Sequence, residues 1–357
     1  MEKIFWKPIW FDSLGAKCSC CLVKTPDVAI LIDPGAAEMQ PSYPLSWPMK
    51  LKYLLQARRA MQKASEHVDI VVITHYHYDH HSLLDTPGMN ATKLYKGKTL
   101  WIKDPNQYIN ASQWERARLF LDQLCRKFGK VELEKIQTKP RVKKFSDPML
   151  KLPLARKKDW GNYAKRKKEL LAKGRKWFES ISQKYWSSKS WIPELKFNEL
   201  EVKFADGKQI KIGKTLIKFS EPLFHGLEFD RVGWIFSVSI SYGKERFVHT
   251  SDLCGILIED YAKALIKENP NVLVVDGPST YLIPYMMNLI NLNRSIENLC
   301  QVIKKVNPEV VILDHHLLRE RRYRERLKKV YELAEEENKR VFTAAEYLGK
   351  KPLILKL

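Results

Sequence analysis

The sequence over residues 69–81 is Asp69-Ile70-Val71-Val72-Ile73-Thr74-His75-Tyr76-His77-Tyr78-Asp79-His80-His81. Its first half is short, β-branched and continuously apolar, which is typical of a strand buried on both faces. Its second half places four histidines and one aspartate within seven residues. So many polar groups are costly beside a core strand unless they bind something, and neutral imidazole and carboxylate are the groups that Zn²⁺ and similar metals prefer. The stretch therefore predicts a metal site just past a buried strand.

Three other places add metal-ligating residue types after predicted strands. His225 follows a strand that ends at Phe219, and Asp252 follows a strand at 246–248. The pair His315 and His316 directly follows a strand at 310–313. Because ligands are commonly presented at strand ends in α/β proteins, we expect these side chains to meet at one rim. Two simpler interpretations stay open: His225 as a hydrogen-bonded core histidine, and Asp252 as the N-cap of the next helix.

The pattern around these motifs is β-rich at first and then alternates strands with helices twice. Residues 200–204 and 209–212, joined by a turn at 205–207, predict a β-hairpin. The other predicted strands are 4–6, 18–23, 28–32, 69–74, 98–102, 215–219, 234–241, 246–248, 272–275 and 310–313, and the predicted helices are 49–66, 112–128, 257–267, 294–305 and 319–338. This order is typical of a layered α/β/β/α sandwich.

Composition excludes several classes of protein. The chain has 357 residues, 45% of them apolar, so it is not a mainly disordered chain. No apolar run reaches the roughly 20 residues of a membrane span, and we recognise no signal peptide at the N-terminus. Six cysteines, three of them in a predicted strand at 18–21, indicate reduced, packed thiols in a cytoplasmic protein.

The net charge of +21 is concentrated in one segment. Residues 141–190 contain 16 Lys/Arg and 4 Asp/Glu, interleaved with aromatic residues. One interpretation is a nucleic-acid arm, with charges on phosphates and aromatics stacked on bases. The other is a helical hairpin whose aromatic stripe packs on the domain while its lysines are solvated. The helical spacing of the aromatics favours the second, and neither interpretation excludes phosphate contact by exposed lysines.

Taken in order, these motifs resemble those of the metallo-β-lactamase superfamily. Residues 32–35 (Ile-Asp-Pro-Gly) resemble its first motif, and residues 75–80 match its second, His-x-His-x-Asp-His. His225, Asp252 and His315 would occupy the third, fourth and fifth motifs. Residues 13–15, 74–81, 109–113, 275–278 and 314–319 further resemble a largely archaeal family known only as predicted metallo-β-lactamase-fold hydrolases.

The resemblance implies a four-layer αβ/βα metallo-β-lactamase sandwich over residues 1–357, a single domain with a basic helical insertion at about 141–193. It also implies two divalent metal ions, with zinc expected and iron or manganese as alternatives. His75, His77 and His225 would hold one ion, Asp79, His80 and His315 would hold the other, and Asp252 would bridge them. His315 is favoured over His316 as the terminal ligand.

The chemistry implied by the resemblance is hydrolysis by a water activated between two metals. Asp79 would orient the nucleophile, and His316 is the candidate proton donor to the leaving group, while His81 and His249 are candidates for supporting roles. The positive charge slightly favours a phosphodiester, including nucleic acid, over a lactone, ester or thioester. Two other classes stay open: a nucleic-acid-binding protein with a structural metal, and a di-iron redox protein, which usually has a carboxylate at the position of His77.

Overall fold

The computed structural model describes residues 3–306 and 308–357 of the chain, and two seven-stranded β-sheets form its centre. The first sheet has the strand order β1-β2-β3-β4-β5-β7-β6. Its strands are β1 (Phe5–Phe11), β2 (Ser19–Lys24), β3 (Ala29–Ile32), β4 (Ile70–Ile73), β5 (Lys98–Ile102), β6 (Leu195–Phe197) and β7 (Leu200–Phe204). Strands β3, β4, β5 and β7 run parallel.

The second sheet has the order β16-β15-β14-β13-β12-β9-β8. Its strands are β8 (Gln209–Ile212), β9 (Thr215–Phe219), β12 (Val238–Tyr242), β13 (Glu245–His249), β14 (Val272–Asp276), β15 (Val310–Asp314) and β16 (Val341–Phe342). Two short strands, β10 (Leu223–Phe224) and β11 (Trp234–Ile235), pair separately. Strands β13, β14, β15 and β16 run parallel, so their carboxyl ends lie at one edge of the sheet.

Alternating side chains of the central strands fill two different cores. Ile70 and Val72 of β4 face the second sheet, whereas Val71 and Ile73 pack toward the helices. All four are at most 4% exposed, which confirms the prediction of a strand buried on both faces. Strands β14 and β15 alternate in the same way, so apolar layers lie between the sheets and on their outer faces.

Helices cover the outer faces of the two sheets and complete the predicted α/β/β/α arrangement. They are α1 (Trp47–Ala64), α2 (Ala91–Tyr95), α3 (Ala111–Leu124), α4 (Pro153–Lys157), α5 (Ala164–Ile181), α6 (Glu259–Glu268), α7 (Leu289–Lys305), α8 (Tyr323–Arg326), α9 (Lys328–Glu336) and α10 (Ala344–Tyr347). None of the helices in the described residues is long and apolar enough to cross a membrane.

The predicted hairpin of residues 200–212 is wrong. Strand β7 pairs with β5 and β6 in the first sheet, whereas β8 pairs with β9 in the second. The turn at 205–207 therefore carries the chain from one sheet to the other. The true hairpins are β6–β7 and β8–β9, and the turn of the second includes Gly213 at φ +55°. Local turn signals mark a reversal but do not specify the partner strand.

Two other predicted elements are interrupted in the structure. The strand expected at 234–241 is divided between β11 and β12, which belong to different sheets. The single charged helix expected at 319–338 consists of the short helices α8 and α9, which follow an irregular turn that contains Arg319. At the first break the side chains of β11 and β12 enter different cores, whereas the buried side chains of α8 and α9 share one core.

The basic segment is helical, and most of its aromatic side chains pack inward. It lies between β5 and β6, which leaves the parallel pairing of β5 with β7 intact. Trp177 of α5 stacks on Trp234 with ring centroids 5.5 Å apart, and Phe178 contacts Phe229 and the fully buried Trp186. The packed-helix interpretation of these aromatics therefore agrees with the structure. Whether the segment is an insertion within one domain stays a prediction.

Candidate metal centre

Asp252 occupies the middle of a cluster of histidines at the carboxyl ends of the strands. It follows β13 through a loop in which Ser251 adopts a left-handed backbone conformation at φ +55°. Its Oδ2 atom lies 3.1 Å from His225 Nε2, 3.2 Å from His80 Nε2 and 3.6 Å from His75 Nε2. Its Oδ1 atom lies 3.5 Å from His315 Nε2. One carboxylate thus faces four imidazoles that come from three different strand ends.

The structure brings all seven predicted metal-ligating residues together. The potential ligand atoms of His75, His77, His225 and Asp252 lie within 4.8 Å of one another, as do those of Asp79, His80 and His315. His225 reaches the cluster directly after the short strand β10, not after the strand ending at Phe219. These two groups adjoin at Asp252, which is the arrangement that the resemblance implied.

Several buried polar atoms in this cluster have no hydrogen-bond partner among residues 3–306 and 308–357. They are Nε2 of His80, His225 and His315, and Oδ1 of Asp252. An unpaired buried polar group costs on the order of 1–3 kcal/mol, so four in one place require a common explanation. All four point to the same small region, and their nitrogen and carboxylate chemistry fits a divalent transition metal. The residues present therefore fit the implied metal ions.

Neighbouring side chains orient the histidines from behind. The Nδ1 atom of His80 lies 2.9 Å from Asp33 Oδ2, and that of His315 lies 2.8 Å from Asp12 Oδ1. Thr74 Oγ1 lies 3.2 Å from His75 Nδ1 and donates to Asp33. Carboxylate and hydroxyl partners of this kind fix the tautomer of a ligating histidine and direct its Nε2 atom inward. Asp33, which belongs to the stretch that resembles the first motif, also adopts a left-handed backbone conformation (φ +50°).

Electrostatics favour positive charge around Asp252. Burial acts to raise the pKa of the Asp252 carboxyl, but His80 and His315 hold it well below its usual range. Burial also opposes protonation of His80, yet Asp252 and Asp33 raise its pKa to about 10. In contrast, burial together with the neighbouring His80 lowers the pKa of His75 well below its usual range. His75 is therefore neutral, the form in which a histidine binds a metal.

Sequence reasoning gave no role to two charged residues beside the centre, Asp12 and Arg319. Asp12 Oδ1 lies 2.8 Å from His315 Nδ1, while its Oδ2 atom accepts a 2.6 Å hydrogen bond from Arg319 Nε. Arg319 also donates to the Tyr281 hydroxyl at 3.1 Å, and its Nη2 atom lies 3.6 Å from Asp79 Oδ2. Both residues adjoin motifs that carried the resemblance, but only the folded chain places them together.

His315 and His316 differ in what they face. His315 belongs to the group with Asp79 and His80, whereas His316 Nδ1 lies 2.9 Å from both oxygens of Asp276. His316 also lines the neighbouring cavity. A further group joins His316 and Asp276 to Cys254, whose Sγ atom lies 3.8 Å from His225 Nδ1. Sequence reasoning gave Cys254 no role.

The two remaining candidate histidines, His249 and His81, make hydrogen bonds that hold the local structure. His249 bonds to Ser19 through Nε2 and accepts from the Ser251 backbone through Nδ1, which ties β2 to the Asp252 loop. His81 bonds to the His77 carbonyl oxygen, which fixes the shape of the histidine-rich loop. Asp252 is not the cap of the following helix, because α6 begins after Ile258.

A cavity of about 370 Å³ opens beside the cluster. The residues that line it on the cluster side are His77, Asp79, His225 and His316. Asp79 keeps 14% of its side chain exposed, whereas the Asp252 side chain is 2% exposed. Asp79 and His316, the two predicted catalytic residues, are therefore open to a molecule in the cavity.

Comparison with known proteins places this architecture in a family. A UPF0282 protein of Methanopyrus kandleri is 29% identical over 356 residues, with 98% of this chain and 95% of the relative covered. A UPF0282 protein of Methanocaldococcus jannaschii is 30% identical over 356 residues, with 98% and 92% covered. The chain belongs to the UPF0282 family. Both relatives are archaeal, as the resemblance implied.

The UPF0282 chain also matches the metallo-beta-lactamase superfamily model over residues 15–85. That range includes the His-x-His-x-Asp-His loop, and the two-sheet architecture continues beyond it. The protein is accordingly a hydrolase of the metallo-β-lactamase superfamily.

Solved structures similar to this UPF0282 chain share little sequence with it. Unliganded yeast PDE1 has a TM-score of 0.44 at 13% identity, covering 96% of this chain and 98% of that protein. Igni18, a metallo hydrolase from Ignicoccus hospitalis, has a TM-score of 0.36 at 12% identity, covering 96% and 95%.

Proposed function

We propose that this chain is a hydrolase with a dinuclear metal centre, with zinc as the expected metal and iron or manganese as alternatives. His75, His77 and His225 would hold one ion, whereas Asp79, His80 and His315 would hold the other. The observation that carries the proposal is the position of Asp252, whose two oxygens lie within 3.6 Å of histidines from both groups. The unpaired, inward-facing nitrogen atoms around it support the same assignment.

The chain's own residues orient the attacking water and donate a proton to the leaving group. When bound, two divalent ions lower the pKa of a water between them and stabilise negative charge on the attacked group. Asp79 accepts a hydrogen bond from the attacking water and orients it, while Arg319 limits the movement of Asp79. His316, held by Asp276, donates a proton to the leaving group from the cavity side.

The substrate class is a phosphodiester or another ester. A phosphodiester is favoured because Lys17, Arg116 and Arg319 line the cavity and complement an anion, in keeping with the net charge of +21. A neutral lactone, ester or thioester is the alternative, and these three cations would not strengthen its binding. A purely structural metal site would need only four ligands, fewer than the seven residues assembled here.

Elemental analysis of protein purified without chelator tests the proposal directly. We expect close to two divalent ions per chain in the wild type. Asp252→Asn keeps the shape of the side chain but removes its charge, so we expect it to lose metal. Asp85→Asn, at an exposed aspartate that belongs to neither group of potential ligands, is the matched control and should bind as the wild type does.

The outcomes separate the candidate functions. Two ions in the wild type with a clear loss in Asp252→Asn support the dinuclear hydrolase. No metal, or one ion that does not depend on Asp252, overturns the dinuclear centre and favours a binding protein with a structural site. Circular dichroism of both variants shows whether a loss of metal comes from unfolding instead.

A further inference from the structure

The cavity beside the candidate metal centre is lined by two chemically different kinds of side chain. The cations Lys17, Arg116 and Arg319 line it together with the carboxylates of Asp79 and Asp230. The apolar lining, called the apolar wall below, is formed by Leu227, Leu257, Leu282, Met286 and Met287. A pocket that took only a phosphate group, or only a polar sugar phosphate, would not require so many apolar side chains.

Arg319 is built to recognise an anion in this cavity. Its guanidinium is held from behind by Asp12 and from the side by Tyr281, and the residue is 7% exposed. Its Nη2 atom is buried, lies 3.6 Å from Asp79 Oδ2 and makes no hydrogen bond within the described part of the chain. A fixed guanidinium with a spare donor is well suited to bind a carboxylate or a phosphoryl oxygen. Arg116, which lies 4.8 Å over the Tyr78 ring, adds charge at the same rim.

The apolar wall continues from the cavity to the protein surface. Met287 is 5% exposed, whereas the adjacent Met286 is 74% exposed and still lines the cavity. Tyr285, Leu289 and Ile290, which are close to Met286 in the sequence, are exposed as well. Exposed apolar side chains that adjoin a binding cavity commonly mark a ligand groove, and methionine adapts its shape to apolar ligands. A chain longer than the cavity could therefore lie along this surface.

We propose that the substrate is a small organic anion with an apolar chain. Its anionic group binds Arg319 and Arg116, and its apolar chain lies against Leu227, Leu282 and Met287. The proposal rests on the proposed function, because the ester bond would then lie between this anion site and the metal centre. The cavity volume of about 370 Å³ is in the range of small-molecule sites.

Calorimetric titration of the metal-loaded protein with two phosphonates tests the proposal. Methylphosphonate and hexylphosphonate carry the same anionic group and cannot be hydrolysed as esters. We expect hexylphosphonate to bind at least tenfold more tightly, because each added methylene leaves water for the apolar wall. Equal affinity of the two probes would overturn the proposal.

Two sets of variants assign the effect to the two walls. Leu227→Gln with Leu282→Gln should remove most of the preference for hexylphosphonate and leave methylphosphonate binding unchanged. The exposed Leu119, replaced by Gln, is the control. Arg319→Gln should weaken both probes about tenfold, and Arg319→Lys should recover part of the loss.

Arg116→Gln serves as a second charge variant, because Arg116 has no role in holding Asp12 and the change should not affect folding. Arg321→Gln, at an exposed position, is the control for the arginine variants. Full affinity in both Arg116→Gln and Arg319→Gln would contradict the anion site.

Metal content measured on the same samples separates this proposal from the proposed function. If the protein holds no metal but still prefers hexylphosphonate and depends on Arg319, the dinuclear centre fails and the amphipathic site stands. If two ions are bound but chain length has no effect, the centre stands and the amphipathic site fails.

Discussion

The histidine-rich loop at 75–81 and the basic helix α5 are both dense in polar residues, but the fold buries histidines of the first and exposes lysines of the second. His75, His80 and His81 are at most 1% exposed, whereas Lys165 and Lys168 of α5 point to solvent. Buried polar groups must bind something to offset their loss of water, and exposed lysines need no partner. Polar density therefore indicates a binding centre only where the residues are buried.

The largest effect expected from a test of this contrast is at Asp12. Asp12→Asn removes the charge that pairs with Arg319 and His315 in a fully buried place. Breaking a buried ion pair commonly costs 3–5 kcal/mol, so we expect the free energy of unfolding to fall by about 4 kcal/mol. Urea denaturation measures it, with Asp85→Asn as the control. A change below about 1 kcal/mol would mean that the buried network of Asp12, His315 and Arg319 adds little to stability.

The second-largest loss of stability is expected on the side of α5 that packs against the domain. Phe178 is 4% exposed and contacts Phe229, Trp186 and Trp234, so Phe178→Ala should lower the free energy of unfolding by about 3 kcal/mol. Metal content should not change. Leu170→Ala, at a position 39% exposed on the same helix, should cost less than about 1 kcal/mol. Equal small effects at both positions would show that α5 is a tether instead of a packed helix.

The buried ion pairs of Glu228 with Lys167 of α5 and with Arg294 give a pH dependence. Burial acts to raise the pKa of Glu228, but Arg294 and Lys167 of α5 lower it from its usual 4.5 to about 2. The ionised form therefore adds stability that is fully present above pH 4.5 and is lost as the pH falls toward 2. We expect the wild type to lose about 3 kcal/mol more than Glu228→Gln across this window in denaturation curves. If the free energy of unfolding fell equally with pH in the wild type and in Glu228→Gln, the buried ion pair would be contradicted.

The smallest effect on stability is expected at the exposed lysines of α5. Replacing Lys165, Lys168 and Lys176 together by Gln should change the free energy of unfolding by less than about 0.5 kcal/mol. If the segment binds nucleic acid, which is one of the two interpretations of its charge, the affinity for single-stranded RNA at low salt should fall about tenfold and its salt dependence should weaken. Replacing the control residues Lys350, Lys351 and Lys356 by Gln should not change the affinity. Unchanged affinity in the α5 variant would remove nucleic acid as a partner of this surface.

Local patterns predicted the elements well but not how distant pieces combine. The buried strand β4 and the helices α1, α3 and α7 follow from apolar periodicity, which one segment carries by itself. The partner of β7 does not, since its two hydrogen-bonding edges are equally compatible with a hairpin and with the first sheet. The sequence also did not predict the break between α8 and α9, because the charge spacing of residues 319–338 is compatible with one continuous helix.

The sequence by itself determined which residues could bind metal, because histidines and aspartates that follow predicted strands form a recognisable series. Only the tertiary structure decided which neighbours orient them. Asp12 is about 300 residues from His315 and Arg319, and nothing in either local pattern links them. Contacts at such separation depend on the packing of two sheets and the irregular turn after β15. The chemistry of the ligands is therefore local, whereas the orientation of the ligands and the shape of the cavity are properties of the whole fold.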